Sequence, residues 1–126
     1  MTARILCVED NPQNMRLVRK LLRRTYTVLE AEDGMSGLRM AEEEEPDLIL
    51  MDINLPDIDG IEVTKRIKVQ EHLNHIPIIA LTANAMFGDE QKYLAAGCDG
   101  YIAKPVDKTT LHNEIARFLA QTEEEN

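Results

Sequence analysis

This chain of 126 residues is short of cations, of cysteine and of long apolar runs. Lys and Arg number 14 against 23 Asp and Glu, a net charge of −9. Binding to nucleic acid rests mainly on Lys and Arg neutralising phosphates, so this balance argues against it and against an anionic membrane surface. A small basic cluster is made by Arg16, Arg19, Lys20, Arg23 and Arg24. That spacing fits one exposed helix face, read as a solvated or partner-facing stripe. No apolar stretch approaches the roughly 20 residues that a transmembrane helix needs. Glu9 and Asp10 interrupt the first apolar run before it could act as a signal segment. Two cysteines, Cys7 and Cys98, make no disulfide framework, and Cys7 reads as a small buried hydrophobe. A reducing cytoplasm is the expected compartment. There is no phosphate-cradling glycine loop. His72, His75 and His112 lack ligand or triad spacing and read as surface residues. No internal repeat or linker is found.

What is present is a globular composition, 44% hydrophobic and 29% charged, on a length that suits one domain. Residues 1–120 are expected to form it, with 121–126 a short acidic tail. Apolar runs alternate with segments of helical period. Strands are predicted at 4–8, 27–31, 47–51, 77–81 and 100–103. Asn11-Pro12 opens the first helix as cap and first residue. Asp33-Gly34 reads as a turn before a helix over 36–45, which buries Leu38 and Ala41 and stops before Pro46. Further helices are predicted at 60–71, at 87–95 ending at Gly97, and after Asp107 or Thr109, the last burying Leu111, Ile115 and Leu119. Strict alternation of five strands and five helices implies an α/β fold with a parallel sheet covered on both faces. The flavodoxin-like order 2-1-3-4-5, a doubly wound (βα)5 single domain, is the common solution.

Four of these strands end in polar residues: Glu9-Asp10, Asp52, Thr82-Ala83 and Lys104-Pro105. In open parallel sheets ligands bind outside the carboxyl ends of the strands, so acids, hydroxyl and ammonium would meet there. Three carboxylates so close either raise a pKa or recruit a cation. Oxygen donors without His or Cys suit a hard ion, Mg²⁺ above all. Phosphoryl transfer needs that positioning and charge neutralisation, and an aspartate can be the nucleophile. Each residue also has a plainer reading. Glu9-Asp10 suits a helix start, Asp52 and Thr82 suit turns, and Lys104 suits solvent; the joint occurrence favours a site.

The set Val8-Glu9-Asp10-Asn11, Asp47 to Asp52, Leu55-Pro56, Asp59-Gly60, Leu81-Thr82-Ala83 and Tyr101 to Pro105 resembles the receiver domain of two-component response regulators. Within that family it is similar to stand-alone regulators of the DivK and CheY type and to receivers of hybrid histidine kinases. The resemblance implies a phospho-acceptor that is not an enzyme in the ordinary sense, taking phosphate on Asp52 from a histidine kinase or histidine phosphotransfer protein. Glu9, Asp10, Asp52 and the carbonyl of Asn54 would hold Mg²⁺, and Lys104 would contact the phosphoryl oxygens, a partner it gains only on transfer. Thr82 and Tyr101 would carry the switch to a downstream protein on the face of helix four, strand five and helix five. The Lys104-Pro105 bond would be cis. Asn54 and Asn84 would tune phosphate lifetime, and Met86 and Phe87 are read as core before partner surface. Two rivals remain: a phosphatase using Asp52, for which Asn54 stands where a second aspartate is usual, and a flavin carrier, whose phosphate Glu9-Asp10-Asn11-Pro12 would repel. A phosphorelay intermediate, or a module of a hybrid kinase, is the alternative within the family.

Overall fold

The computed structural model describes residues 2–83 and 89–125. Asn84, Met86, Phe87 and the start expected for the fourth helix lie outside the described residues. The elements are β1 (Arg4–Val8), α1 (Pro12–Leu22), β2 (Thr27–Ala31), α2 (Gly34–Glu44), β3 (Leu48–Asp52), α3 (Gly60–Lys68), β4 (Ile78–Thr82), α4 (Asp89–Ala96), β5 (Gly100–Ala103) and α5 (Lys108–Glu125). All strand pairs are parallel, in the order β2-β1-β3-β4-β5.

The period of two along a strand splits each apolar run between two layers. Leu6, Val8, Ile49, Met51, Ile78 and Ala80 pack with Val63, Ile67 and Tyr93 from α3 and α4. Ile5, Cys7, Leu48, Leu50, Ile79 and Leu81 pack with Met15, Val18 and Leu22 of α1 and Leu111, Ile115 and Phe118 of α5. Both faces of β1, β3 and β4 are therefore dry, which is why these strands are unbroken apolar runs. Each fully buried Leu or Ile contributes about 1.5–3 kcal/mol.

The starts of α1, α2, α3 and α5 are fixed by side-chain caps. Asn11 Oδ1 accepts from the amides of Gln13 and Asn14 at 2.9 and 3.1 Å. Asp33 caps Ser36 at 2.8 Å, Asp59 caps Glu62 at 2.9 Å and Asp107 caps Thr110 at 2.9 Å. Such a cap is worth about 1 kcal/mol. Asp33-Gly34 is thus a cap and a first helical residue, two positions ahead of the expected start. Leu38 is only partly buried, and α3 stops at Lys68. On α5 Phe118, with Leu119 beside it, fills the core position. Gly100 makes room for that ring, since a Cβ there would stand 2.8 Å from its carbons. The same helix continues to Glu125, through most of the segment expected as a tail.

Candidate functional site

Register brings the polar residues together. Val8 pairs with Met51 and Asp52 with Leu81, while Thr82 pairs with Ala103. Glu9 and Asp52 therefore emerge at one level from neighbouring strands, and Lys104 follows Ala103 at the next. One oxygen from each of Glu9, Asp10 and Asp52 can be chosen so that all three lie within 4.8 Å of one another. Asp10 is exposed, whereas Glu9 is 1% and Asp52 3% exposed. The Lys104 ammonium donates to Glu9 Oε1 at 2.7 Å and lies 3.3 Å from Asp52 Oδ2. Lys104 is therefore paired at rest, contrary to the expectation that its partner arises only on transfer. The Asn11 amide donates to Glu9 Oε2 at 3.3 Å and the Asn54 amide to Asp52 Oδ1 at 3.1 Å. The Lys104–Pro105 peptide is cis.

Burial dominates the electrostatics. It pushes the Asp52 carboxyl up to about 7, helped by its hydrogen bond and like charge with Glu9 and opposed by Lys104. For Glu9 burial also works against the charge, but hydrogen bonds with Asp52 and Lys104 outweigh it and hold its carboxyl below the usual range. Burial likewise opposes the Lys104 charge, and its two acidic neighbours outweigh it and raise its pKa. Three carboxylates against one ammonium leave two negative charges when all are ionised. An all-oxygen donor set with that balance fits a divalent hard cation such as Mg²⁺.

The loop after β3 is held close by a glycine. Gly60 donates its amide to Ile53 O at 2.9 Å, and a Cβ at Gly60 would lie 2.2 Å from the Asp52 carbonyl oxygen. Only glycine lets the start of α3 approach the Asp52 backbone so closely.

Thr82 is 2% exposed, and its Oγ1 lies 2.9 Å from the Tyr93 hydroxyl. Tyr93 on α4 was not singled out in the sequence. Its signal was available: a buried tyrosine needs a partner for its hydroxyl, and Thr82 is the hydroxyl at the end of the preceding strand. Tyr101 on β5 is half-buried, its ring 6.4 Å from that of Tyr93. Sequence reading therefore found four of the strand-end groups and missed the α4 residue that touches one of them. His112, read as a surface residue, donates through Nε2 to Leu21 O at 2.8 Å and stacks on Tyr26.

The pattern of the response regulator receiver domain matches residues 5–116. The chain belongs to the response regulator receiver family. It is 45% identical over 120 residues to the polar-differentiation response regulator DivK of Brucella ovis, covering 94% of this chain and 98% of that one. Among solved structures, it is 41% identical to the receiver domain of a sensor histidine kinase from Pseudomonas aeruginosa. That match has a TM-score of 0.88 and covers 95% of this chain and 99% of the other, which holds a magnesium ion coordinated in its active site cleft. A CheY-like receiver from Methanospirillum hungatei matches at TM-score 0.92 and 31% identity over the whole of both chains. Receivers are signalling switches of two-component systems that work with histidine kinases and downstream targets and bind Mg²⁺ at an acidic site. Among the described residues of this receiver, no helix is long and apolar enough to cross a membrane.

Proposed function

We propose that residues 1–120 form a phospho-activated switch in which Asp52 accepts the phosphoryl group, with Glu9, Asp10, Asp52 and the Asn54 carbonyl holding Mg²⁺. The observation that supports this most is the approach of Glu9, Asp10 and Asp52 within 4.8 Å, with the Lys104 ammonium against two of them. A carboxylate oxygen of Asp52 attacks phosphorus as the P–N bond to the donor imidazole breaks. The ion, when bound, would neutralise charge on the transferred oxygens. Lys104 leaves its resting acids for a phosphoryl oxygen. Thr82 turns from Tyr93 to another and gives up the 2.9 Å contact. A switch requires phosphate to bind one state better than the other, and Thr82 supplies that difference. Release of Tyr93 loosens α4, and Tyr101 beside it reports the change on the face of α4, β5 and α5, where a downstream protein docks. The phosphodonor is a sensor histidine kinase or a histidine phosphotransfer protein, in the cytoplasm.

Acetyl phosphate should modify, and beryllofluoride occupy, the wild type stoichiometrically in Mg²⁺ and leave Asp52→Asn untouched. A stoichiometric aspartyl label on the variant would overturn the assignment. The 41% likeness to a histidine kinase receiver favours a second reading, in which the phosphoryl group is passed on without a change of shape. Amide shifts induced by beryllofluoride decide: changes reaching Tyr93 and Tyr101 support the switch, and changes confined to the surroundings of Asp52 support the relay.

A further inference from the structure

We propose that the concavity between the end of α1 and the start of α5 binds a polyphosphate anion, inorganic or carried by a nucleotide. The hollow is about 360 Å³, within the range of small-ligand sites, and Lys20, Arg23, Arg24 and Lys108 line it, with Leu21, Thr25 and His112. Acids outnumber cations in this chain by 23 to 14, so partners are not scarce. Arg19, one residue before Lys20, pairs with Glu30. Yet none of the four lining cations makes an ion pair or a side-chain hydrogen bond among the described residues. Four like charges converging unpaired repel one another, and an anion of two or more charges relieves that repulsion.

The plainer account is helix chemistry. Cations in the last turn of α1 complement the negative end of its dipole, which accounts for Lys20 and Arg23. It does not account for Lys108, which opens α5, the end where a helix favours acids. Nor does a solvated stripe account for the shape, because the wall is fixed. The amides of Arg23, Thr25 and Tyr26 bond to Arg19 and Leu22 carbonyls at 2.9, 3.0 and 2.9 Å. The ring of His112 donates to Leu21 O at 2.8 Å and stacks on Tyr26 at 6.1 Å, tying α5 to the end of α1. With the backbone wall fixed, binding has to order only the four exposed cationic side chains, and the planar Arg fork matches phosphate oxygens bidentately.

The test is an amide-shift titration of the whole chain with pyrophosphate and, separately, with ATP, in EDTA and physiological salt. The expected result is saturating shifts at 20–26 and 108–112, weakened at least about tenfold in Lys20→Gln/Arg24→Gln, whose spectrum elsewhere stays that of the wild type. Equal affinity for the two probes identifies the phosphates as the whole ligand, and tighter binding of ATP identifies a nucleotide. Failure to saturate by ~1 mM, undiminished affinity in the variant, or shifts confined to the surroundings of Asp52 would overturn the proposal. So would loss of phosphotransfer from a histidine kinase domain in the variant with no anion bound by the wild type, which would make the hollow a protein contact.

Discussion

Replacing Asp52 by Asn should stabilise the metal-free protein, and the gain should depend on pH in a way fixed by the site. The Asp52 carboxyl is raised from 3.8 to about 7. Between those values the native state keeps a proton that the unfolded chain has released, so stability falls as pH rises through the window. About 3 pH units at ~1.36 kcal/mol each set an upper limit of about 4 kcal/mol for the cost above pH 7. The other groups act outside the range pH 5 to 8. Glu9 is shifted downward, so its contribution is present above its unfolded value and lost as pH falls through its folded one. Lys104 is shifted upward, so its contribution is complete below its unfolded value of 10.5 and lost only at higher pH. An Asn at 52 keeps an acceptor for the Asn54 amide, now 3.1 Å from Asp52 Oδ1, and its NH2 can donate to Glu9 as the protonated acid does.

Urea unfolding in EDTA at pH 5, 6.5 and 8 measures the difference. The variant should exceed the wild type by about 2–4 kcal/mol at pH 8, roughly 3–5 °C per kcal/mol in Tm, and the gap should close toward pH 5. Added Mg²⁺ at pH 8 should raise the wild type and shrink the gap from the other side. A variant less stable than wild type at pH 8, or a gap that does not change with pH, would refute the electrostatic account of the site.

Asp10→Asn should weaken Mg²⁺ binding at least about tenfold with little effect on metal-free stability, since Asp10 is exposed; titration calorimetry checks it, and unchanged affinity would remove Asp10 from the metal set. Gly60→Ala should cost about 1–3 kcal/mol and lower Mg²⁺ affinity, because its Cβ would stand 2.2 Å from the Asp52 carbonyl; a variant of wild-type stability and affinity would contradict that packing. Lys104→Ala should destabilise the metal-free protein by about 1–3 kcal/mol, as it strips the cation 2.7 Å from buried Glu9; an unchanged urea midpoint in EDTA would show that the pair contributes nothing at rest. Tyr93→Phe should cost about 1 kcal/mol and reduce the beryllofluoride-induced amide shifts in α4; shifts of wild-type size would separate Tyr93 from the switch.

How much of this was visible in the sequence depends on whether a feature is local or needs two elements at once. Strand ends were local: an apolar run stops where the chain leaves a covered sheet, so Glu9, Asp52, Thr82 and Lys104 could be placed at one edge from the sequence. Phase on a helix was less secure. Phe118 and Leu119 are adjacent, about 100° apart around α5, and both fit an apolar stripe; the choice rests on Gly100, a residue of another element whose missing side chain admits the ring. The resting partner of Lys104 was hidden for the same reason, because its distance to Glu9 is set by four crossovers and 95 positions of chain. Tyr93 was hidden more deeply, as its hydroxyl meets Thr82 only once α4 has packed on β4. The residues that carry charge were thus readable from strand ends, while the contact proposed to pass their state on was not. That contact lies between a strand end and a helix face, and a pattern along the chain carries no record of it. It also means that an exchange of Tyr93 would leave every receiver motif intact and still alter the proposed coupling, so motif content alone cannot rank receivers by how strongly phosphate moves α4.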